Sequence, residues 1–97
     1  MTTQKEIKLH LAIVAGLGCI ICHRMGYPDS PAEIHHIHNK FMLGKKSDYL
    51  HTVPLCPHHH RTSNESYHHS PKAFTEKWGT QEDLLQETKD MLYGRQN

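Results

Sequence analysis

The sequence has little apolar material for a chain of its size. Apolar residues make up 36% of its 97 residues and aromatic residues only 7%. A core this small rarely holds a domain together without a staple such as a disulfide or a metal. The length allows one domain, which we expect to span residues 1–97.

Cysteine is scarce as well, and this argues against the disulfide. Three cysteines cannot all pair with one another, and two of them, Cys19 and Cys22, are spaced as C-x-x-C. We find no signal peptide, and the longest apolar stretch, Leu11 to Ile21, contains two glycines and is too short to cross a bilayer. We therefore expect a cytoplasmic protein whose reduced thiols bind a metal.

The chain also lacks a strong net charge. Eleven Lys and Arg residues against ten Asp and Glu residues leave +1, which excludes a protein held on nucleic acid by charge alone. The basic residues that could position a phosphate backbone are Lys45, Lys46 and Arg61, in a region that also holds Lys40. A solvated loop explains the two lysines equally well.

Histidine is the residue in excess. The chain has eleven, clustered in mid-chain between Ile, Pro and Cys residues, where a purification tag or incidental surface histidines are poor explanations. Imidazole is a common metal ligand and titrates near neutral pH. The clusters therefore predict metal binding, catalysis or both.

The spacing of apolar residues and the positions of glycine, proline and helix-capping residues predict an α+β fold. Apolar residues at helical spacing predict a helix over 3–16, ended by glycines, and a final helix over 80–92 that starts at Thr80 with Asp83 three residues on. Ser70 and Pro71 begin a helix that ends at Trp78, and another helix could start near Pro57. Short strands are predicted over 32–37 and 52–55, and Pro54 places the second at a strand end or at a sheet edge.

Two short clusters have the spacing of zinc ligands. Cys19 and Cys22 form one pair, and Cys56 with His59 forms a second pair at the same spacing. Two such turns can aim four ligands at one zinc ion, as structural zinc sites require. The alternatives are that the cysteines are simply buried, or that His58 takes the place of His59.

Between these clusters lies a tandem pair, His35 and His36. On a strand, adjacent side chains point to opposite faces, although twisting at a strand end can bring both toward one site. Phosphodiester cleavage needs a group that deprotonates water and a cation that stabilises the leaving oxygen. A histidine pair can serve both needs, one as base and one as metal ligand.

These motifs together resemble the HNH endonuclease family and, within it, the family of the RecA-dependent phage nuclease Ref. The motifs that carry the resemblance are Cys19-x-x-Cys22, Ile34-His35-His36-Ile37 and the run from His51 to His60. The similarity extends over residues 17–92. It implies a zinc-stapled ββα-metal (treble-clef-like) finger with an N-terminal helix and C-terminal helices.

The resemblance also implies roles for individual residues. His36 corresponds to the general base, and His35 and His60 to ligands of a catalytic cation, with His68 as a third ligand and His69 as its alternative. Family members cut DNA with Mg²⁺ or Mn²⁺, and a site rich in imidazole is expected to accept transition metals too. His51 stands where the family usually has asparagine, and its role stays open.

The predicted function is a metal-dependent DNA endonuclease in phage-linked or prophage-linked recombination or repair. DNA is the implied partner, and a RecA-type recombinase filament is a weaker one, since no basic region precedes Lys5. The alternative function is a non-catalytic zinc module that binds nucleic acid or protein. Glu33 could orient a histidine ring, but a surface carboxylate is the simpler interpretation.

Overall fold

The computed structural model describes residues 3–37 and 49–94. In chain order its elements are α1 (Gln4–Gly16), α2 (Ile20–Arg24), β1 (Glu33–His36), β2 (Thr52–Leu55), a π-helix (His58–Thr62), α3 (Pro71–Trp78) and α4 (Gln81–Tyr93). Helices and a small sheet in one chain confirm the predicted α+β class. Lys40, Lys45 and Lys46 lie outside the described residues.

Two helices start at threonine caps, Thr3 and the predicted Thr80, whereas the predicted N-cap Ser70 makes no side-chain capping hydrogen bond. The Thr3 hydroxyl accepts a hydrogen bond from the backbone N–H of Glu6 at the start of α1. At the start of α4 the Asp83 N–H donates to Thr80 Oγ1 over 3.1 Å, and the Thr80 N–H donates to Asp83 Oδ2 over 3.0 Å. The aspartate thus completes the reciprocal capping box that more often uses a glutamate.

Two short helical segments differ from the sequence-based expectation. Residues 20–24 form the helix α2, where only a metal-binding turn was expected, and the helix expected after Pro57 is a π-helix. A π-helix is wound more widely than an α-helix and occurs as a single turn, often at functional sites. Both segments carry residues of the predicted zinc site.

The two strands form an antiparallel pair in which His35 lies opposite Val53 and Glu33 lies opposite Leu55. Within the described residues the sheet has two strands, so each of them has an open edge. This accommodates Pro54, which has no N–H to donate to a ladder. The register places Glu33 and His35 on the same face of β1, because side chains alternate along a strand.

The core lies between the sheet and the helices. Its buried apolar side chains are Cys19, Ile20, Ile21, Ile37, Val53, Leu55, Cys56, Phe74, Leu84 and Leu85. Trp78 of α3 and Met91 of α4 are partly buried against this cluster, so both helices contribute to the core. Two of the three cysteines are therefore core residues.

Gly18 makes a close approach between two segments possible. Its φ of +81° is unfavourable for any residue with a side chain. A Cβ atom at this position would lie 2.5 Å from the carbonyl oxygen of Pro28. The loop at Pro28 therefore packs directly on the backbone that leads into Cys19, whose N–H donates to the Ser30 carbonyl over 3.1 Å.

By length and composition alone, the helical stretch Gln4–Arg24 is apolar enough to cross a membrane, with a mean hydropathy of 1.5. This differs from the expectation that no apolar run in the chain is long enough. The stretch consists of two helices, however, and Ile20 and Ile21 at its end are fully buried in the core. Of the apolar window in this stretch, 28% is buried, and both a core helix and an N-terminal signal sequence satisfy the same criterion.

Candidate functional site

The first pair of predicted zinc ligands is organised by α2. Cys19 is the N-cap residue of this helix, and its sulfur accepts a hydrogen bond from the Cys22 N–H over 3.4 Å. An N-cap side chain folds back over the first turn of its helix. The two sulfurs are therefore brought to one side of α2.

The second pair completes a four-ligand cluster. Cys56 follows β2, and His59 lies in the first turn of the π-helix. The Cys56 sulfur lies 3.2 Å from His59 Nδ1 and 3.7 Å from the Cys22 sulfur. The His59 Nδ1 atom lies 3.6 Å from the Cys22 sulfur and 3.7 Å from the Cys19 sulfur.

These distances fit a tetrahedral zinc ion. With Zn–S bonds near 2.3 Å and Zn–N bonds near 2.0 Å, tetrahedral geometry separates two sulfurs by about 3.8 Å and a sulfur from a nitrogen by about 3.5 Å. All four donor atoms lie within 4.8 Å of one another. Cys19, Cys22, Cys56 and His59 could therefore hold a metal ion such as zinc.

The alternative ligand His58 lies elsewhere. Its side chain is exposed, and its Nε2 atom lies 3.7 Å from Glu65. His59 is buried, and burial lowers the pKa of its ring below the usual 6.5. A neutral imidazole is the form that binds a metal.

Burial raises the pKa of the Cys19 thiol from 9.0 to about 12 in the metal-free protein. Near neutral pH this thiol is protonated until a metal binds. The thiolate is the form that ligates zinc, so zinc binding at this site must release a proton.

A second cluster, which we call the histidine cluster, consists of His35, His60 and His68. Their ring nitrogens lie within 4.8 Å of one another, and Nε2 of His60 is 3.1 Å from Nε2 of His68. His35 is fully buried, His60 is partly buried and His68 is exposed. The cluster therefore opens to solvent on the His68 side, as a site that admits a substrate must.

The π-helix places neighbouring residues in different clusters. His59 faces the cysteine ligands, and His60 faces His35 on β1, with ring centroids 5.2 Å apart. Backbone hydrogen bonds then fix the turn that carries His68: the Tyr67 N–H donates to the His59 carbonyl over 2.8 Å, and the His68 N–H donates to the His60 carbonyl over 3.1 Å. The two clusters thus share one short scaffold.

The turn itself is braced from inside by Ser66, which is fully buried. Its hydroxyl donates to the Ser63 carbonyl over 2.7 Å and accepts from the His69 N–H over 3.3 Å. The Tyr67 ring packs on His35, with centroids 4.8 Å apart. These contacts hold His68 on the side of the turn that faces His60.

Polar partners surround the histidine cluster. Glu33 Oε1 accepts from His60 Nδ1 over 2.8 Å, and the same carboxylate receives the Nε and Nη2 groups of Arg61 at 2.9 and 2.6 Å. Gln81, the first residue of α4, has its side-chain oxygen 2.9 Å from His35 Nε2. Arg61, beside the carboxylate, and then His60 lower the pKa of Glu33 to about 2, so it is ionised at neutral pH.

Four residues were predicted to act in catalysis or catalytic metal binding, and three of them, His35, His60 and His68, lie together in the histidine cluster. His36 is exposed, lies next to buried His35 on β1, and is not a member of the histidine cluster. His69 is exposed, and of the two alternatives it is His68 that lies in the cluster. The simple surface interpretation of Glu33 is wrong, since this carboxylate bridges His60 and Arg61.

Sequence reasoning missed Gln81 and Tyr67 at this site. Gln81 is 46 residues from the histidine that it contacts. In the sequence it is one helix-starting polar residue among several, and its place after the capping residue Thr80 says nothing about His35. Tyr67 adjoins His68 in sequence, but a half-buried tyrosine is more often a packing residue.

Comparison with known proteins gives one result that bears on function. A family model described as recombination enhancement, RecA-dependent nuclease matches residues 2–93. No curated protein matches the chain significantly. The match covers nearly the whole chain and agrees with the resemblance found in the motifs, and the family's name implies nuclease activity in recombination. The chain therefore belongs to the RecA-dependent nuclease family of recombination enhancement.

Proposed function

We propose that this protein is a metal-dependent DNA endonuclease of HNH type. The observation that supports the proposal most is the presence of two separate ligand clusters on one scaffold. One has the cysteines and burial of a structural zinc site, and the other has three histidines and opens to solvent. An antiparallel strand pair followed by a helical turn that bears ligands agrees with a ββα-metal (treble-clef-like) finger.

The two clusters suit different tasks. A buried site with four protein ligands is closed and stabilises the fold, whereas a site with three protein ligands leaves positions for water and substrate. Cys19, Cys22, Cys56 and His59 are the proposed structural zinc ligands. His35, His60 and His68 are the proposed ligands of the catalytic cation.

A divalent cation at the histidine cluster, when bound, would stabilise the negative charge that develops on the departing 3′ oxygen. The three imidazoles favour Mn²⁺ or a later transition metal over Mg²⁺, which prefers oxygen ligands. His35 is fully buried at the inner side of the cluster, and His68 is exposed at its solvent side.

His36 is the proposed general base. It would take a proton from the water that attacks phosphorus in line with the 3′ oxygen, which leaves a 5′ phosphate and a 3′ hydroxyl. Its exposure agrees with a base that must reach bulk water and an incoming backbone. It is the last residue of β1, and its side chain lies on the face opposite that of His35, so DNA would have to pass over the end of this strand to reach both residues.

The substrate and setting follow from the family and the chemistry. DNA is the proposed substrate and a RecA-type filament is the proposed partner, because the family is described as a RecA-dependent nuclease of recombination enhancement. Work on DNA in phage-linked or prophage-linked recombination or repair would place the protein in the cytoplasm. The Arg61 side chain remains 57% exposed beside Glu33, so it can still approach a phosphate.

The test is plasmid cleavage by zinc-loaded protein with Mg²⁺, Mn²⁺, Co²⁺ or Ni²⁺. We expect His36→Ala and His60→Ala to reduce cleavage at least about 100-fold, with DNA binding retained. Only His60→Ala should also weaken uptake of the second cation. His58→Ala is the matched control, because His58 is an exposed neighbour outside both clusters. This variant should cleave DNA like the wild type.

A non-catalytic zinc module is the second candidate, and the position of His36 outside the histidine cluster favours it. The same experiment separates the two functions. A wild-type protein that binds DNA but cuts no plasmid with any of the four cations would support the module. Cleavage that survives both His36→Ala and His60→Ala would point to a contaminating nuclease and would also remove the support for HNH catalysis.

A further inference from the structure

Glu33 forms more contacts than an ordinary surface carboxylate. Its Oε1 atom accepts from His60 Nδ1 over 2.8 Å and from Arg61 Nε over 2.9 Å, and its Oε2 atom accepts from Arg61 Nη2 over 2.6 Å. Its side chain is 28% exposed, compared with 70% for Glu65 in the pair with His58. Both oxygens are therefore engaged by defined partners.

The position of Glu33 follows from the strand register. Glu33 and His35 are two residues apart on β1 and so share one face, the face toward the histidine cluster. His60 and Arg61 approach this face from consecutive positions of the π-helix. A carboxylate at position 33 thus meets both of them, whereas the neighbouring positions on β1 point to the other face.

The contact decides which nitrogen of His60 carries the proton. An ionised carboxylate can only accept hydrogen bonds, so Nδ1 must be the nitrogen that bears hydrogen. The lone pair of the neutral ring is then on Nε2. This is the atom that faces His68, 3.1 Å from its Nε2 atom.

We propose that Glu33 is a positioning residue that holds His60 as the Nδ1–H tautomer and presents Nε2 to a divalent cation, with Arg61 clamping the carboxylate in place. The inference rests on the proposed function, because it assigns a cation to the histidine cluster. Carboxylates that accept from the outer nitrogen of a ligating histidine orient the ring and raise its basicity. Arg61 thereby acts first on Glu33, which differs from the direct phosphate contact predicted from sequence.

The informative substitution is Glu33→Gln. Arg61 can only donate, so the amide oxygen of the introduced side chain should turn toward Arg61 and leave the amide NH₂ facing His60. Nδ1 of His60 would then have to accept, and the proton would move to Nε2. The substitution therefore reverses the tautomer with little change in side-chain volume.

Two measurements on zinc-loaded protein read this change. Long-range ¹H–¹⁵N NMR of the histidine rings, without a second cation, reports the tautomer of His60. Calorimetric titration with Mn²⁺ reports the affinity of the second site. We expect the Nδ1–H form in the wild type, the Nε2–H form in Glu33→Gln, and a loss of Mn²⁺ affinity of about 10–100-fold in the variant.

Glu65→Gln is the matched control, because it removes the same charge from a second glutamate–histidine pair that lies outside both clusters. It should leave the His60 tautomer and the Mn²⁺ affinity unchanged. Should Glu33→Gln fail to retain zinc, Glu33→Asp is the second variant. Its carboxylate keeps the Nδ1–H form, but it is one methylene shorter, so we expect a smaller but measurable loss of Mn²⁺ affinity.

The outcomes separate this inference from the proposed function. An unchanged His60 tautomer, or a Mn²⁺ affinity within about twofold of wild type in Glu33→Gln, overturns the positioning role even if the wild type cleaves DNA. A wild-type protein that takes up no second cation and cuts no DNA overturns the proposed function, and the cation-directed role of Glu33 fails with it.

Discussion

Three consecutive histidines on the π-helix have three different environments. His58 is exposed beside Glu65, His59 is buried among the cysteine sulfurs, and His60 faces His35 and His68. The three side chains have the same chemistry, so their roles follow from their surroundings. Burial and a sulfur-rich environment suit His59 to a closed metal site, and a carboxylate partner suits His60 to an open one.

The identity of residue 35 should set the preference of the second site for its cation. In His35→Asp we expect the ratio of Mg²⁺-supported to Mn²⁺-supported plasmid cleavage to rise by about tenfold or more, because a carboxylate oxygen replaces an imidazole nitrogen. Cleavage rates at matched cation concentrations measure this ratio. His69→Asp is the control, since His69 is exposed outside the cluster; an equal rise in both variants would contradict a ligand role for His35.

At the scale of elements, short segments position the ligands and long helices support them. The helix α2 aligns Cys19 with Cys22, the strand β1 aligns Glu33 with His35, and the π-helix separates His59 from His60. None of these segments is longer than five residues. Their conformations depend on tertiary contacts, because so short a helix has little stability of its own.

Two glycines near the end of α1 should respond oppositely to alanine. Gly18→Ala should destabilise the protein by about 2 kcal/mol or more, since a side chain at positive φ is strained and its Cβ would collide with the Pro28 carbonyl. Gly16→Ala should be neutral or stabilise it by up to about 1 kcal/mol, because Gly16 is helical with nothing within 4 Å of the added atom.

Denaturant unfolding of the zinc-loaded proteins measures both changes, and zinc content is a second readout. Gly18 precedes Cys19 directly, so Gly18→Ala should also weaken zinc retention, whereas Gly16→Ala should not. Equal stabilities for the two variants would show that the close packing of the 28–30 loop on Gly18 does not hold in solution.

At the scale of the whole molecule, the four-ligand cluster is part of the core. Cys19 and Cys56 are buried with Ile20, Val53 and Leu55, so a metal bound there would join α2, the sheet and the π-helix. Structural zinc contributes about 10–16 kcal/mol in small domains, which is as much as the entire stability of a typical one. The fold of this chain should therefore depend on zinc.

Removing zinc should unfold the protein, and more easily at lower pH. The raised pKa of the Cys19 thiol means that zinc displaces a proton, so apparent zinc affinity should rise with pH by about tenfold per unit for each proton released. Circular dichroism with a zinc chelator of known affinity, at about pH 6.5 and about pH 7.5, measures both effects. In His58→Ala the zinc dependence should be unchanged, whereas Cys56→Ala should be unfolded even with zinc.

A chain that keeps its secondary structure and cooperative melting after zinc removal would contradict this dependence. So would a zinc affinity that is independent of pH. A cation at the histidine cluster should behave differently, because that cluster lies at the surface on one side. Its removal should abolish cleavage and leave the fold intact.

The helix ends and the set of four residues that could hold a metal could be predicted from sequence, because both depend on local spacing. Helix starts were predicted at Ser70 and Thr80, and the structure confirms that α3 and α4 begin directly after them, while α1 begins within one residue of its predicted start. A C-x-x-C turn aims two side chains at one point whatever follows, so Cys19 with Cys22, and Cys56 with His59, could be paired by spacing alone. The two strands were placed to within one residue of their observed ends.

Sequence by itself determined which residue types were available, where the long helices begin and end, and which four side chains could share one metal. The family resemblance had named His35, His60 and His68 as ligands of one cation, but only the tertiary structure showed that their ring nitrogens lie together, with His36 and His69 outside the cluster. The tertiary structure also decided that Glu33 and Gln81 contact His60 and His35. The physical reason is that these contacts join elements up to 46 residues apart, and their geometry depends on sheet register and helix packing, which local spacing does not encode.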